Sequence, residues 1–222
     1  MVKVKICCIS SIEEAELAIR YGADALGLVS WMPSGTGIIS DQTIKQIAAS
    51  IPAHIKTFLL TCQQEPEAIV SQQQHSGADT IQIVDELTAE GLGELRAKLP
   101  GVALVQVIHV VNRSSVDTAL KLEHLVDYVL LDSGQPDAAT PKLGGTGRVH
   151  DWSISAEIVD RLSCPVYLAG GLHPGNVAEA ITNVRPYGVD VCSRLRPGNK
   201  LDESLLAKFF SEVRHAAEEV AD

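Results

Sequence analysis

Positive charge is in short supply in this chain: 18 Lys and Arg stand against 28 Asp and Glu, a formal net charge of −10 over 222 residues. Such a balance leaves no broad basic face, and so excludes nucleic acid or an anionic membrane surface as the expected partner. Any anionic ligand must then be held by local backbone dipoles and a few placed cations. Long apolar runs are missing too, and no stretch reaches the length needed to span a bilayer. Low-complexity segments are also lacking; the run Ser71 to Gln74 is short enough to be one exposed helix turn. The five cysteines are odd in number, with no apolar leader behind Met1, and read as free thiols of a reducing cytoplasm rather than a disulfide framework.

What is present is a regular alternation of short apolar runs and amphipathic segments. Val2 to Ile9 reads as a strand, and Ser11 to Tyr21 as a helix capped by Ser10 or Ser11, with Glu13 and Glu14 in its first turn. The unit repeats as Ala25 to Ser30 before Asp41 to Ser50, Lys56 to Leu60 before Glu65 to His75, and Thr80 to Val84 before Thr88 to Lys98. It continues as Ala103 to Val110 before Ser115 to His124, Tyr128 to Asp132 before Ser153 to Leu162, Val166 to Ala169 before Asn176 to Val184, and Val189 to Cys192 before Glu203 to Val220. Near-continuous apolar strands such as "YVLLDS" and "PVYLAGG" suit parallel strands covered by helices. Eight such units predict an α/β fold, a single (β/α)₈ TIM barrel over residues 1–222, with an open doubly wound sheet as the alternative.

Chemistry in a barrel sits where strands end, which directs attention to Cys7 and Cys8, Val29 to Gly37, Thr61, Val84 and Asp85, His109, Asp132, Gly170 and Gly171, and Asp190 to Ser193. The longest loop, "DSGQPDAATPKLGGTGRVHDW", carries Gly144, Gly145 and Gly147 and reads as a lid over that face. Adjacent residues of a strand leave opposite faces, so Cys7 and Cys8 cannot converge on one metal or bond to each other. His54, His75, His124 and His215 read as solvated, no pair has metal-ligand spacing, and His109 either lines the pocket or packs. Trp152 reads as an anchor for the start of the sixth helix.

The motifs "VKICCIS", "GADALGLV", "LLDS" with "GGTGRVHDW", "LAGGLHPGNVAEAI" and "RPYGVDVCS", in this order over nearly the whole chain, resemble the phosphoribosylanthranilate isomerases of tryptophan biosynthesis. The resemblance implies a barrel without metal or organic cofactor. It also implies a small phosphorylated sugar substrate, an N-linked ribosyl phosphate, rearranged to an aminodeoxyribulose phosphate. Its base would be Cys7 and its acid Asp132. A thiol needs a stabilised thiolate for that task, whereas the aspartate must be kept protonated. Gly145, Thr146 and Gly147 of the lid, Gly170 and Gly171, Asp190, Ser193 and Arg194 would bind substrate. Lys5 and Cys7 would point along the barrel axis and Cys8, where the family has glycine, outward against the helix layer.

Three departures from the pattern stand out. Arg194 replaces a phosphate-loop glycine, so that Arg194 or Arg196 either forks the phosphate or fills its site. "SWMPSGTGIIS" stands where the family has "SPR", with no basic residue, leaving backbone amides around Gly35 to Gly37 as a replacement. "QIVD" stands for "QLHG", exchanging a histidine for Val84 and adding Asp85. The anthranilate end of the pocket is therefore expected to be rebuilt. A related sugar-phosphate isomerase and a noncatalytic phosphometabolite-binding barrel remain the alternatives, and a homodimer is left open.

Overall fold

The computed structural model describes residues 2–33, 36–134 and 149–219. Its strands are β1 (Lys3–Ile6), β2 (Ala25–Val29), β3 (Lys56–Thr61), β4 (Thr80–Ile83), β5 (Ala103–His109), β6 (Tyr128–Asp132), β7 (Val166–Leu168) and β8 (Gly188–Val191). All pair in parallel with their sequence neighbours, and β1 pairs with β8 to close the barrel. Between and after them run α1 (Ile12–Tyr21), α2 (Asp41–Ser50), α3 (Pro66–Ser76), α4 (Ala89–Lys98), α5 (Ser114–Leu122), α6 (Trp152–Arg161), α7 (Val177–Val184) and α8 (Glu203–Glu219).

Period-2 alternation sorts the strand residues into two buried layers. Ile6, Leu26, Leu59, Ile81 and Leu131 face outward and pack with Ala15, Ala18 and Phe209 of the helices. Cys7, Ala25, Phe58, Val105, Leu130 and Tyr167 fill the barrel interior. Helix starts are set by short polar side chains: Ser11, Ser40, Thr88 and Asp151 accept from the backbone N–H of Glu14, Thr43, Gly91 and Ser153. Each such cap contributes about 1 kcal/mol. Trp152 opens α6 and packs against the outer core, as its place in the sequence suggests.

The first strand departs from expectation. Rather than running from Val2 to Ile9 it ends at Ile6, because Cys8 takes a left-handed φ of 63°. Cys7 still donates to Val191 O at 2.9 Å and Ile9 to Gly27 O at 3.0 Å, so only the intervening residue is flipped. That flip accounts for glycine at this place in the resembled pattern. It also carries Cys8 away from the helix layer and into the inner cluster, correcting the expected outward placement. There Cys8 forms a disulfide with Cys192, Cα to Cα 6.0 Å, so these two are not the free thiols expected from the cysteine count. Barrel closure sets the ends of β1 and β8 side by side, which a sequence separation of 184 residues conceals.

Candidate active site

Lys5, Cys7 and Asp190 form one buried cluster at the C-terminal mouth. The register of the closing seam pairs Lys5 with Asp190, and in a parallel ladder both side chains enter the interior. Lys5 Nζ lies 2.9 Å from Asp190 Oδ1, an electrostatic contact rather than a well-directed hydrogen bond, since neither atom has a hydrogen-bond partner. The ammonium also sits 5.2 Å from the centroid of the Phe58 ring, within cation–π reach. Gly27 of β2 makes the cluster sterically feasible: a Cβ there would fall 2.6 Å from Cys7 Sγ and 3.2 Å from Lys5 Nζ.

Burial pushes the Cys7 thiol up to about 11, with Lys5 pulling it down and Asp190 adding to the rise. For Lys5 itself, burial works against the ammonium, yet Asp190 and Cys7 more than offset it and its pKa is raised. The cluster therefore holds a firmly charged lysine beside a thiol that is neutral until something removes its proton.

Asp132 ends β6 at the same mouth. Burial raises its carboxyl above the usual carboxylate range and Asp190 adds to the rise; the Ser133 N–H, donating at 2.7 Å, and His109 and Lys5 act the other way. A rise is the direction that an acid at this place requires. His109 is its register partner on β5; Nε2 donates to Val84 O at 3.2 Å, and Nδ1 is buried without a hydrogen-bond partner. His109 is thus half-buried beside Asp132 at the mouth.

Two segments suited to an oxyanion flank this cluster. Gly170 and Gly171 follow β7 with φ of 86° and 67°, conformations that L side chains rarely adopt. A Cβ on Gly170 would also meet Ser133 N at 3.0 Å and His150 Nδ1 at 3.1 Å. Asn176 braces the turn, accepting from His173 N at 2.8 Å and donating to Gly171 O at 3.2 Å. His150 approaches Ser155 Oγ at 2.7 Å, and burial lowers its pKa to about 4, so the ring is neutral at pH 7. After β8, Ser193–Leu195 forms a 3₁₀ turn with Arg194 exposed.

Arg196, offered by the sequence as a phosphate fork, is committed elsewhere. Its guanidinium is buried 2.5 Å from Glu14 Oε2, and Glu14 also accepts from Ser10 N at 3.0 Å, Ser10 Oγ at 2.9 Å and Leu201 N at 3.0 Å. Gly145, Thr146 and Gly147 lie outside the described residues. The other candidates, Cys7, Asp132, Gly170, Gly171, Asp190, Ser193 and Arg194, all stand at the C-terminal ends of their strands or just beyond. Among the described residues no group of three or more His, Cys, Asp or Glu could hold a metal ion.

Sequence reasoning placed Lys5 in the interior without giving it a task, and passed over His150, the Glu14–Arg196 pair and the cysteine bridge. For Lys5 the signal existed, since a lysine two residues before Cys7 on a strand shares its face. At the opposite side, Trp31 is 65% exposed after β2 and Val84 is buried. Asp85 is spent locally, with Oδ1 accepting from Glu86 N at 2.9 Å.

A closed parallel barrel whose mouth gathers a carboxyl raised by burial, a buried thiol, a glycine-rich turn and a 3₁₀ turn defines an acid–base enzyme of the TIM-barrel class. The family model for N-(5'phosphoribosyl)anthranilate (PRA) isomerase matches residues 4–212, and the chain belongs to that family, a family of aldose–ketose isomerases. N-(5'-phosphoribosyl)anthranilate isomerase 2 of Methanosarcina mazei is 36% identical over 96% of this chain and 94% of its own. The Methanocella arvoryzae isomerase is 33% identical over 96% and 99%. Among solved structures, phosphoribosyl anthranilate isomerase from Thermotoga maritima superposes with a TM-score of 0.84 at 29% identity, covering 97% of this chain and 100% of that one. Another phosphoribosyl anthranilate isomerase, solved in complex with reduced 1-(o-carboxyphenylamino)-1-deoxyribulose 5-phosphate, superposes at 0.81 with 27% identity over 97% and 100%.

Proposed function

We propose that this enzyme converts N-(5'-phosphoribosyl)anthranilate into 1-(o-carboxyphenylamino)-1-deoxyribulose 5-phosphate, with Asp132 as general acid and Cys7 as general base. The observation that carries the assignment is the presence, at one barrel mouth, of a carboxyl raised by burial and a thiol beside an ammonium. Asp132 gives its proton to the ribose ring oxygen, the C1–O bond breaks, and the anilino nitrogen lone pair forms the iminium. Cys7, as the thiolate left once its own proton has passed to solvent, then takes the C2 proton and returns to the thiol, the C2–H electrons forming the C1–C2 double bond of an enolamine that tautomerises to the ketose. Backbone N–H groups of the Gly170–Gly171 turn and of the segment at Ser193 take the phosphate, with Arg194 as the adjacent cation and Gly145, Thr146 and Gly147 as further substrate-binding residues. Asp190 holds Lys5.

The residues after β2 support a looser grip on the other end of the substrate. Between Trp31 and Ser40 there is no basic side chain to meet the anthranilate carboxylate. We place the enzyme in the cytoplasm, as a biosynthetic catalyst whose described helices include none long and apolar enough to cross a membrane. A homodimer has the support of the Thermotoga maritima relative described as dimeric. The test of function is rescue of a tryptophan auxotroph lacking only this isomerase. The wild-type chain should restore growth and Cys7→Ala or Asp132→Asn should not. Rescue by both variants would overturn the acid and base assignments, and rescue by none of the three would leave the barrel as a binder of phosphorylated metabolites.

A further inference from the structure

A lysine enclosed in a barrel interior needs a reason. Lys5 is fully buried, and an ammonium out of water is costly unless its charge is met. Asp190 meets it, yet a pair of apolar residues would fill the same volume at least as stably. The second neighbour of Nζ is the Cys7 sulfur, brought there because residues two apart on β1 enter the same face and because Gly27 leaves the space open. The other cations near the mouth are differently placed: Arg196 is held by Glu14, and Arg194 is exposed in the 3₁₀ turn.

We propose that Lys5 is a positioning residue for the reaction, its ammonium serving as the counter-charge that lets Cys7 carry negative charge while it abstracts the substrate proton. Lys5 does not touch the reacting atoms; it acts through Cys7. Asp190 keeps the lysine charged and anchored at the seam, so the ammonium cannot turn away when the thiol is neutral. Phe58 presents its ring beneath the ammonium and completes its enclosure. The proton inventory is simple: the C2 proton ends on sulfur, the thiolate is consumed, and the ammonium stays an ammonium throughout. Burial alone would hold Cys7 as a thiol; Lys5 is the strongest influence opposing this, and the Cys8 backbone N–H adds to it.

This inference rests on Cys7 as the base, and the experiment separates the two. The titration of Cys7 is followed by the ultraviolet absorbance of its thiolate, taken as the difference between each protein and its Cys7→Ser counterpart. Lys5→Met, with Lys5→Gln as a polar substitute should the first not fold, is expected to move that titration up by about one to two pH units, which is about ten- to hundredfold less thiolate at neutral pH. In the same variants kcat should fall by a similar factor with KM little changed, and should recover as pH is raised. Lys5→Arg, which keeps the charge, should restore most of both. An unmoved Cys7 titration in a folded neutral variant, or a kcat loss that high pH does not relieve, overturns the proposal. Full turnover by Cys7→Ser instead overturns the base assignment, whatever the lysine variants show in titration.

Discussion

Replacing Glu14 by Gln should unclasp the first unit of the barrel from the last. The Glu14 carboxylate receives the buried Arg196 guanidinium, the Ser10 amide and hydroxyl, and the Leu201 amide, and so joins the β1–α1 connection to the segment leading into α8. Glutamine keeps the size and part of the hydrogen bonding but leaves Arg196 charged, 8% exposed and without its counter-ion. Breaking a buried pair from one side costs about 3–5 kcal/mol, and the retained amide contacts place this variant at about 3. With a urea slope of about 2–3 kcal/mol/M, the unfolding midpoint should drop by about 1 M. Arg196, backbone-bonded to Ser193, shapes the phosphate turn, so the KM for substrate should rise as well.

The sign with pH follows from the ionisation of Glu14. Although burial works against it, Arg196 and the two backbone N–H groups hold its carboxyl below the usual carboxylate range. A depressed folded value means the stabilisation is fully present above the unfolded value near 4.3 and is lost as pH falls through the folded one. The difference between wild type and Glu14→Gln should therefore be constant at neutral pH and shrink in acid. The double variant Glu14→Gln/Arg196→Met removes the orphaned charge and should regain most of the loss. A single variant within about 1 kcal/mol of wild type at neutral pH, or a double variant no more stable than the single, would refute the reasoning.

Thiol titration of the unfolded chain without reductant should find three reactive cysteines, Cys7, Cys62 and Cys164, and five after reduction; five at the outset in air-equilibrated protein would deny the Cys8–Cys192 bridge. Gly27→Ala should abolish turnover and destabilise the barrel, since its methyl would fall 2.6 Å from Cys7 Sγ; an active, stable alanine variant would place the thiol elsewhere. The missing cation after β2 predicts less than about tenfold preference in kcat/KM for phosphoribosylanthranilate over the analogue lacking the carboxylate, where a charge-assisted contact would give about ten- to hundredfold. A large preference would mean that another group holds the carboxylate.

Much of this protein is legible along the chain because the information is local. Caps such as Ser11, Ser40 and Thr88 mark helix starts, apolar runs mark parallel strands, and eight repeats of the pair imply closure. Alternation assigns Lys5 and Cys7 to the interior, and the ends of strands locate Asp132, Gly170 and Ser193 at the mouth. What the chain does not display is which residues become neighbours when the first strand meets the last. Lys5 with Asp190, Cys8 with Cys192 and Glu14 with Arg196 all cross that one seam. Period-2 patterning tells which face a side chain takes, not the register of a strand pair formed from opposite ends of the chain. The left-handed backbone at Cys8 was hidden for a related reason: a non-glycine residue seldom adopts it, and here the packing of Gly37 against Cys8 and the link to Cys192 hold it in place. The candidate acid and base were thus written locally, whereas the charge that serves the base, the bridge beside it and the clasp beneath the phosphate turn arise only when the barrel closes.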